Sequence, residues 1–337
     1  MNIAFITPTF YIAPAGGIKL QALMWKQGLE KFGHQVTLID SWKGYVWTDF
    51  DLFFIFGYGG NLKTIVEALS KITDNIVLAP IIDTNYSVSL FRMAAKYLKC
   101  STLRLHSVYN DLYEVRNKIR LFYARSAYEM KYLTDGLGIS DNKIIVLPLS
   151  CRIKVPVKMP PKESFCFHVS LLVNPGKNVK RLIEAAVKYD FKLVLAGTLR
   201  NKEEEHLLLS WIRNHENIKY VGFLSEDELL VYYLRAKVFA LPSTYEGVGM
   251  VALEAAACGC NIVLTKNGGP KEYYDNHVYL VNPYDVDEIG TAVVHAMNNN
   301  DYQPCLMEHI KRNYSFEICS QKLNATITNI KQTCIES

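Results

Sequence analysis

Short apolar runs alternate with longer amphipathic stretches along most of the chain, the repeating pattern of strand, loop and helix. Residues 2–6 read as a strand that breaks at Pro8. Gly16 and Gly17 then precede a helical pattern over 18–32, and 35–39 supply a second strand. Further strands are expected at 52–56, 76–79 and 143–147, with helices near 62–69 and 88–98. Periodicity gives way over 151–163, CRIKVPVKMPPKE, which reads as a proline-rich linker. The pattern restarts with strands at 165–172, 192–196 and 218–221 and helices at 179–188 and near 204–214. Ser225 with Glu228 forms a capping box for another helix. Strands spaced by helices imply parallel sheets, so the fold class is α/β.

Residues 236–272, AKVFALPSTYEGVGMVALEAAACGCNIVLTKNGGPKE, carry the densest signal. An apolar run at 238–241 stops at Pro242, and a polar, glycine-bearing loop spans 243–249. An alanine-rich helix follows and ends at Gly259; a second apolar run at 261–264 ends at the Gly268-Gly269 turn. Parallel sheets hold their ligands at the carboxyl ends of strands, which makes this loop a candidate site. Glu246 lies on the loop, and Glu254 lies about two turns into the helix. Unpaired N–H groups near Val248, Gly249 and Met250 make a cradle for an anion, while the two carboxylates accept hydrogen bonds from hydroxyl-rich groups. Phosphate flanked by two sets of hydroxyls describes a nucleotide sugar. A solvated loop glutamate and a helix-face charge would give the same spacing.

The E-x7-E pair, with ALPSTYEGVG before the helix, LEAAACGC along it and GGPKE after the next strand, resembles the donor site of the retaining glycosyltransferases of family 4, group 1. The resemblance extends over nearly the whole chain. It implies the GT-B fold, two Rossmann-like domains with parallel sheets facing across a cleft. The acceptor domain would be 1–152, the donor domain 153–313, and a closing helix at 314–333 would return to the first domain. In the family the first glutamate meets the donor sugar and the second the ribose, here Glu246 and Glu254, with Gly247, Val248, Gly249 and Met250 between them at the phosphates. Gly222, Phe223 and Leu224 match the loop that faces the nucleobase. Gly16 and Gly17 match the loop bordering the diphosphate and the acceptor, and Lys177 in NPGKN matches the lysine that meets the leaving diphosphate. Two positions depart from the pattern. Leu171 and Leu172 stand where the family has an arginine, so Lys180, Arg181 or Lys266 would have to replace its charge. In APIIDTN, Ile82 and Asp83 stand where the family has a histidine at the sugar's reacting side, which makes Asp83 the catalytic candidate there. The next histidine downstream, His106, reads as a plain core or surface residue.

The resemblance implies retaining transfer of a hexose-type sugar from a nucleotide sugar, a UDP-sugar by default, to a hydroxyl of a glycan or lipid-linked saccharide. No further cofactor and no metal are expected. A nucleotide-sugar-binding subunit without turnover, suggested by the two departures, and a sugar-nucleotide epimerase on the same fold remain alternatives.

Composition narrows the classes further. Half of the 337 residues are hydrophobic and 21% are charged, which implies a substantial core. A net charge of +4 without an arginine-rich tail gives no reason to expect nucleic acid. Eight cysteines lack the spacing of a zinc site and read as reduced, buried thiols. Asp49-Phe50-Asp51 spells a D-x-D metal motif but precedes an apolar run, whereas a metal pair belongs beyond a strand's carboxyl end. The start MNIAFITPTF lacks a basic leader, and no apolar run is long enough to span a bilayer, so a cytoplasmic location is expected. Residues 92–132 mix Arg92, Lys96, Lys99, Arg104, Arg116, Lys118, Arg120, Arg125 and Lys131 with Tyr97, Tyr109, Tyr113, Phe122, Tyr123 and Tyr128, next to Phe91. Such a surface suits peripheral contact with an anionic membrane; a solvated helix face accounts for the same charges.

Overall fold

The computed structural model describes residues 1–7, 17–40, 42–59, 61–100, 105–213 and 215–335; Gly16, Arg104 and the side chains of Lys99 and His106 lie outside that description. The chain divides into two compact units, Met1–Ser150 with Phe316–Ser337, and Cys151–Ser315.

In the first unit the chain runs through β1 (Asn2–Ile6), α1 (Gly17–Glu30), β2 (Gln35–Leu38), β3 (Leu52–Phe56), α2 (Leu62–Leu69), β4 (Ile76–Ala79) and α3 (Val88–Tyr97). A short antiparallel pairing of β5 (Lys99–Cys100) with β6 (Leu105–His106) stands apart from the main sheet. It is followed by α4 (Val108–Val115), β7 (Leu121–Ala124), α5 (Ala127–Lys131) and β8 (Ile144–Val146). The six sheet strands are parallel in the order β2-β1-β3-β4-β7-β8. Every residue of β3 and of β4 is buried, because helices cover both faces of a parallel sheet; this is why these strands read as unbroken apolar runs. Trp25 of α1 and Tyr123 of β7 pack on Phe54, with ring centroids 5.4 and 4.9 Å away, and on each other at 5.9 Å.

Part of the stretch expected to be a basic, aromatic surface is interior, although Arg92, Lys96, Lys118 and Lys131 are exposed. β7 lies between β4 and β8, and Phe91, Phe122, Tyr123 and Arg125 are all buried. A four-residue strand covered on both faces has no alternation to betray it, and its basic flanks hide it further. The outward face of α3 does keep Arg92, Lys96 and Tyr97 exposed. No described helix is long and apolar enough to cross a membrane.

The second unit contains β9 (Glu163–Val169), α6 (Val179–Tyr189), β10 (Leu193–Ala196), α7 (Lys202–Ile212), β11 (Ile218–Tyr220), α8 (Glu226–Arg235), β12 (Ala236–Leu241), α9 (Met250–Ala257), β13 (Asn261–Thr265), β14 (Tyr279–Val281), α10 (Val286–Asn298) and α11 (Cys305–Tyr314). The strands are parallel in the order β11-β10-β9-β12-β13-β14. From β9 the sheet grows one way to β11, and from β12 the other way to β14. The order therefore reverses between β9 and β12, the place in a sheet of this kind where ligands bind. The last helix, α12 (Phe316–Ile335), belongs to the first unit and lies along α1. A Cβ on Gly28 would come 2.5 Å from Ser320 Oγ, and Thr326 Oγ1 lies 3.0 Å from Tyr123 Oη.

Candidate active site

The turn after β9 and the loop after β12 are tied together by polar contacts. Asn174 Oδ1 accepts from the Gly176 N–H at 2.8 Å, Pro175–Lys177 make one 3-10 turn, and Asn178 adopts φ 58 to start α6. The Asn178 amide donates to the carbonyls of Pro242 (2.9 Å) and Pro283 (2.6 Å), while Thr244 N–H donates to the Gly176 carbonyl at 2.9 Å. The consequence is a polar cluster at the switch point. Lys177 Nζ donates to Glu246 Oε2 at 2.8 Å, and Ser243 Oγ donates to the same oxygen at 3.0 Å. Glu246 is fixed through its backbone as well, by a parallel bridge to Gly268. Gly268 has φ +101, and a Cβ there would lie 2.0 Å from the Glu246 carbonyl oxygen, so this turn accepts only glycine.

Three residues beyond Glu246, Gly249 opens α9 in the left-handed region at φ +71, with no side chain capping the helix. Ala252 and Leu253 N–H already donate to the Gly249 carbonyl, so the helix start offers an outside acceptor only the N–H groups ahead of them. Gly247 and Met250 are half-buried there, and Val248 is buried. One turn further, Glu254 is 2% exposed. Its carboxylate accepts from Arg152 Nε, from Arg152 Nη2 at 3.5 Å and from Tyr233 Oη at 3.2 Å. Burial pushes the Glu254 carboxyl above the usual carboxylate range, against the opposing pull of Arg152 and Tyr233. Burial also opposes the charge on Arg152, but Glu254 and Glu226 more than compensate and hold its pKa up.

Arg152, Tyr233 and Ser243 were not legible as site residues. Arg152 lies in the segment read as linker, where only its charge among prolines and apolar residues sets it apart. The nucleobase candidates follow β11. Gly222 has φ +81 and its carbonyl accepts from Gly197 N–H at 2.9 Å; Phe223 is 73% exposed and Leu224 is buried. Leu172 is in the core and Leu171 is exposed. Of the candidate replacement cations, Arg181 donates to Asn178 Oδ1 at 2.8 Å, Lys180 pairs with Glu184 at 4.0 Å, and Lys266 is exposed.

Gly17 and Asp83 belong to the first unit. Gly17 is the first residue of α1. Asp83 follows β4 after Ile81, whose φ of 58 is a rare value for a β-branched residue. Buried Arg125 anchors this segment: it donates to Asp83 Oδ1 (2.8 Å), to the Ile82 carbonyl (3.3 Å) and to Glu129 Oε2 (2.8 Å). Glu129 in turn accepts from Ile82 N–H at 2.6 Å, and the Asp83 side chain stays half exposed. At the opposite, amino end of β3, Asp51 Oδ2 accepts from Asn2 N–H at 2.7 Å. No group of three or more His, Cys, Asp or Glu that could hold a metal ion occurs among the described residues.

Known proteins share both the sequence pattern and the fold. Residues 153–313 match the family described as glycosyl transferases group 1. This part of the chain is similar to group 1 glycosyl transferases. It holds Lys177, Glu246 and Glu254. The chain is 24% identical over 207 residues to O-antigen chain mannosyltransferase B of Escherichia coli, a match covering 58% of this chain and 54% of the other. It is 32% identical over 171 residues to a probable sucrose-phosphate synthase of Thermosipho melanesiensis, covering 46% and 39%. The chain thus spans about half, or less, of the length of these curated relatives. Among solved structures, sucrose-phosphate synthase from Thermosynechococcus elongatus superposes with TM-score 0.76 at 15% identity, over 98% of this chain and 99% of the other. Anabaena HepE in complex with UDP-glucose superposes with TM-score 0.71 at 14% identity, over 98% and 100%. The matched part and the unit that accompanies it have the GT-B fold, two Rossmann-like α/β units.

Proposed function

We propose that the protein is a retaining, metal-independent glycosyltransferase that moves a hexose-type sugar from a nucleotide sugar to a hydroxyl of a glycan or lipid-linked saccharide. The observation that carries this reading is the Lys177–Glu246 pair, 2.8 Å apart at the sheet's switch point and followed by an uncapped helix start and a buried glutamate. Each part has a task in breaking a glycosidic bond to a diphosphate. Glu254 accepts the ribose hydroxyls, Phe223 covers the base, and the α9 N–H groups take phosphate oxygens. Glu246 accepts sugar hydroxyls. Lys177 meets the charge that grows on the leaving diphosphate, which stabilises the transition state more than the bound donor. In the other unit, Asp83 is the candidate for the acceptor side.

Retention follows the family, and metal independence follows from fixed cations and amides in place of a divalent ion. Transfer should therefore survive excess chelator, and Asp49→Asn with Asp51→Asn should not abolish it; loss on chelation restored by manganese would reverse this part of the reading. Donors to test first are UDP- and GDP-sugars, because HepE is solved with UDP-glucose and a Corynebacterium glutamicum relative is named as GDP-mannose-dependent. A thermal-shift panel of nucleotide sugars tests the reading at its root, since a ligand raises stability by RT ln(1 + [L]/Kd). No shift with any UDP-, GDP- or ADP-sugar would remove it. The uncharged Leu171 and Leu172 favour one second reading, a binding subunit that shifts with donor but never turns it over.

We also propose that the protein works at the inner face of the cell membrane. Leu90, Met93 and Tyr97 are exposed on α3 beside Arg92 and Lys96, a pairing that suits anionic headgroups. Co-sedimentation with anionic but not neutral vesicles is expected; equal partitioning to both would argue against it.

A further inference from the structure

Glu254 poses a physical problem that the E-x7-E motif does not solve. A carboxylate 2% exposed loses most of its hydration, and without a counter-charge it would rather carry a proton. A protonated acid offers fewer acceptor sites to a diol than a carboxylate does. Something must keep this group ionised.

The groups around it identify the candidate. α8 contributes Tyr233, whose hydroxyl donates at 3.2 Å, and Glu226, whose negative charge works against ionisation; Cys258 lies one turn on, just past the end of α9. β12 and α11 also pack on α9, but Lys237, Glu308, His309, Lys311 and Arg312 make no hydrogen bond or ion pair with Glu254 among the described contacts, and β13 carries no charged residue. The cation in contact is Arg152, which reaches Glu254 from 102 positions away in sequence. Its Nε donates to Oε1 and its Nη2 lies 3.5 Å from Oε2, while Nη1 is held by Glu226 at the start of α8. A planar guanidinium fixed at one end by Glu226 sets the rotation of the carboxylate at the other.

We propose that Arg152 is a positioning residue for the nucleotide, keeping the Glu254 carboxylate charged and turned so that its free acceptor sites receive the ribose diol. The inference rests on the assignment of Glu254 to the ribose. Arg152 lies in the proline-rich stretch outside the motif, so a requirement for it would extend the nucleotide site into the linker.

The test is titration calorimetry with UDP, or with GDP if that is the nucleotide that binds, from about pH 6 to about pH 8.5, a range chosen because buried glutamates reach pKa values of about 8 to 9. The ligand's own phosphate titration is common to every variant. Wild-type affinity should change little beyond that shared term. Arg152→Gln should bind on the order of tenfold more weakly at the acid end and recover part of the loss at the alkaline end, as Glu254 regains its charge. Arg152→Lys, which keeps charge without the planar fork, should fall between and serves as the folded control if the glutamine variant melts. Glu254→Gln should be weak with no such pH dependence, and Arg152→Gln added to it should cost nothing more. If Glu254→Gln weakens binding while Arg152→Gln matches wild type in affinity and pH profile, Arg152 has no such role, although the ribose assignment stands. If both variants bind like wild type, both assignments fall. Tighter binding by Arg152→Gln would also overturn the proposal, making Arg152 a group that the nucleotide must displace.

Discussion

Lys177 Nζ and Glu246 Oε2 lie 2.8 Å apart although 69 positions separate the residues, because the turn after β9 and the loop after β12 meet where the strand order reverses. The pair joins a cation suited to a departing phosphate to an acceptor suited to a sugar. Lys177→Ala should lower kcat by on the order of 10²-fold while donor KM moves less, since the charge that the lysine meets grows as the bond breaks. Lys177→Arg should restore part of the rate, returning charge but not geometry. Near-normal turnover of the alanine variant in steady-state assays would shift this role to another cation, with Lys266 and Arg181 the next to replace.

Gly268 gives an independent handle on the same loop. A methyl group at 268 would collide with the Glu246 carbonyl and would also hold an L-residue at φ +101, so Gly268→Ala must displace the loop or strain the turn. The expected outcome is a lower melting temperature together with a raised donor KM. An alanine variant with wild-type melting temperature and wild-type kinetics would mean that Glu246 is not held through this bridge.

Much of this organisation can be read from the chain, and the failures have identifiable causes. Runs such as LFFIF in β3 and IVLA in β4 announce buried parallel strands, and the turns around Lys177 and Gly268 carry their own proline and glycine signals. β9 was expected to run to 172 but ends at Val169. The apolar run continues past the strand because Leu172 packs into the core beneath Gly197, where a Cβ would lie 3.3 Å from its Cγ. β7 was hidden by the arginines and tyrosines around it, and Arg125, expected at the surface, is spent on Glu129 and Asp83. Arg152 could not have been found by any local pattern. Its partner lies far along the chain, and only the folded unit brings the two together.

His168 predicts an acid limb of stability. It is fully buried on β9; its Nδ1 lies 2.7 Å from the Ala240 carbonyl, which can only accept, so Nδ1 carries the proton and Nε2 accepts from Ser170 Oγ at 2.7 Å. Burial pushes its pKa down to about 4 from an ordinary value of 6.5. Above the ordinary value both folded and unfolded forms are neutral and pH has no leverage. As pH falls from there toward 4 the unfolded chain takes up a proton that the folded one refuses, and stability is lost, in total on the order of 3 kcal/mol. Urea unfolding of wild type and His168→Gln at about pH 7 and about pH 4.5 should show the smaller acid loss in the variant. Equal losses would mean that His168 does not set this limb.

Lys177, Glu246 and Glu254 are proposed to bind a nucleotide sugar and to let its sugar leave with retention. The most direct test is to incubate the protein with the donor found by thermal shift, with and without glycan acceptors. Nucleoside diphosphate release is then followed, and the anomeric configuration of the product is read by NMR. Wild type should release nucleoside diphosphate only with acceptor present and give a product with the donor's configuration, and release should fall on the order of 10²-fold or more in Lys177→Ala. A product of inverted configuration, or release that is unchanged when Lys177 and Glu246 are both replaced by alanine, would contradict this assignment.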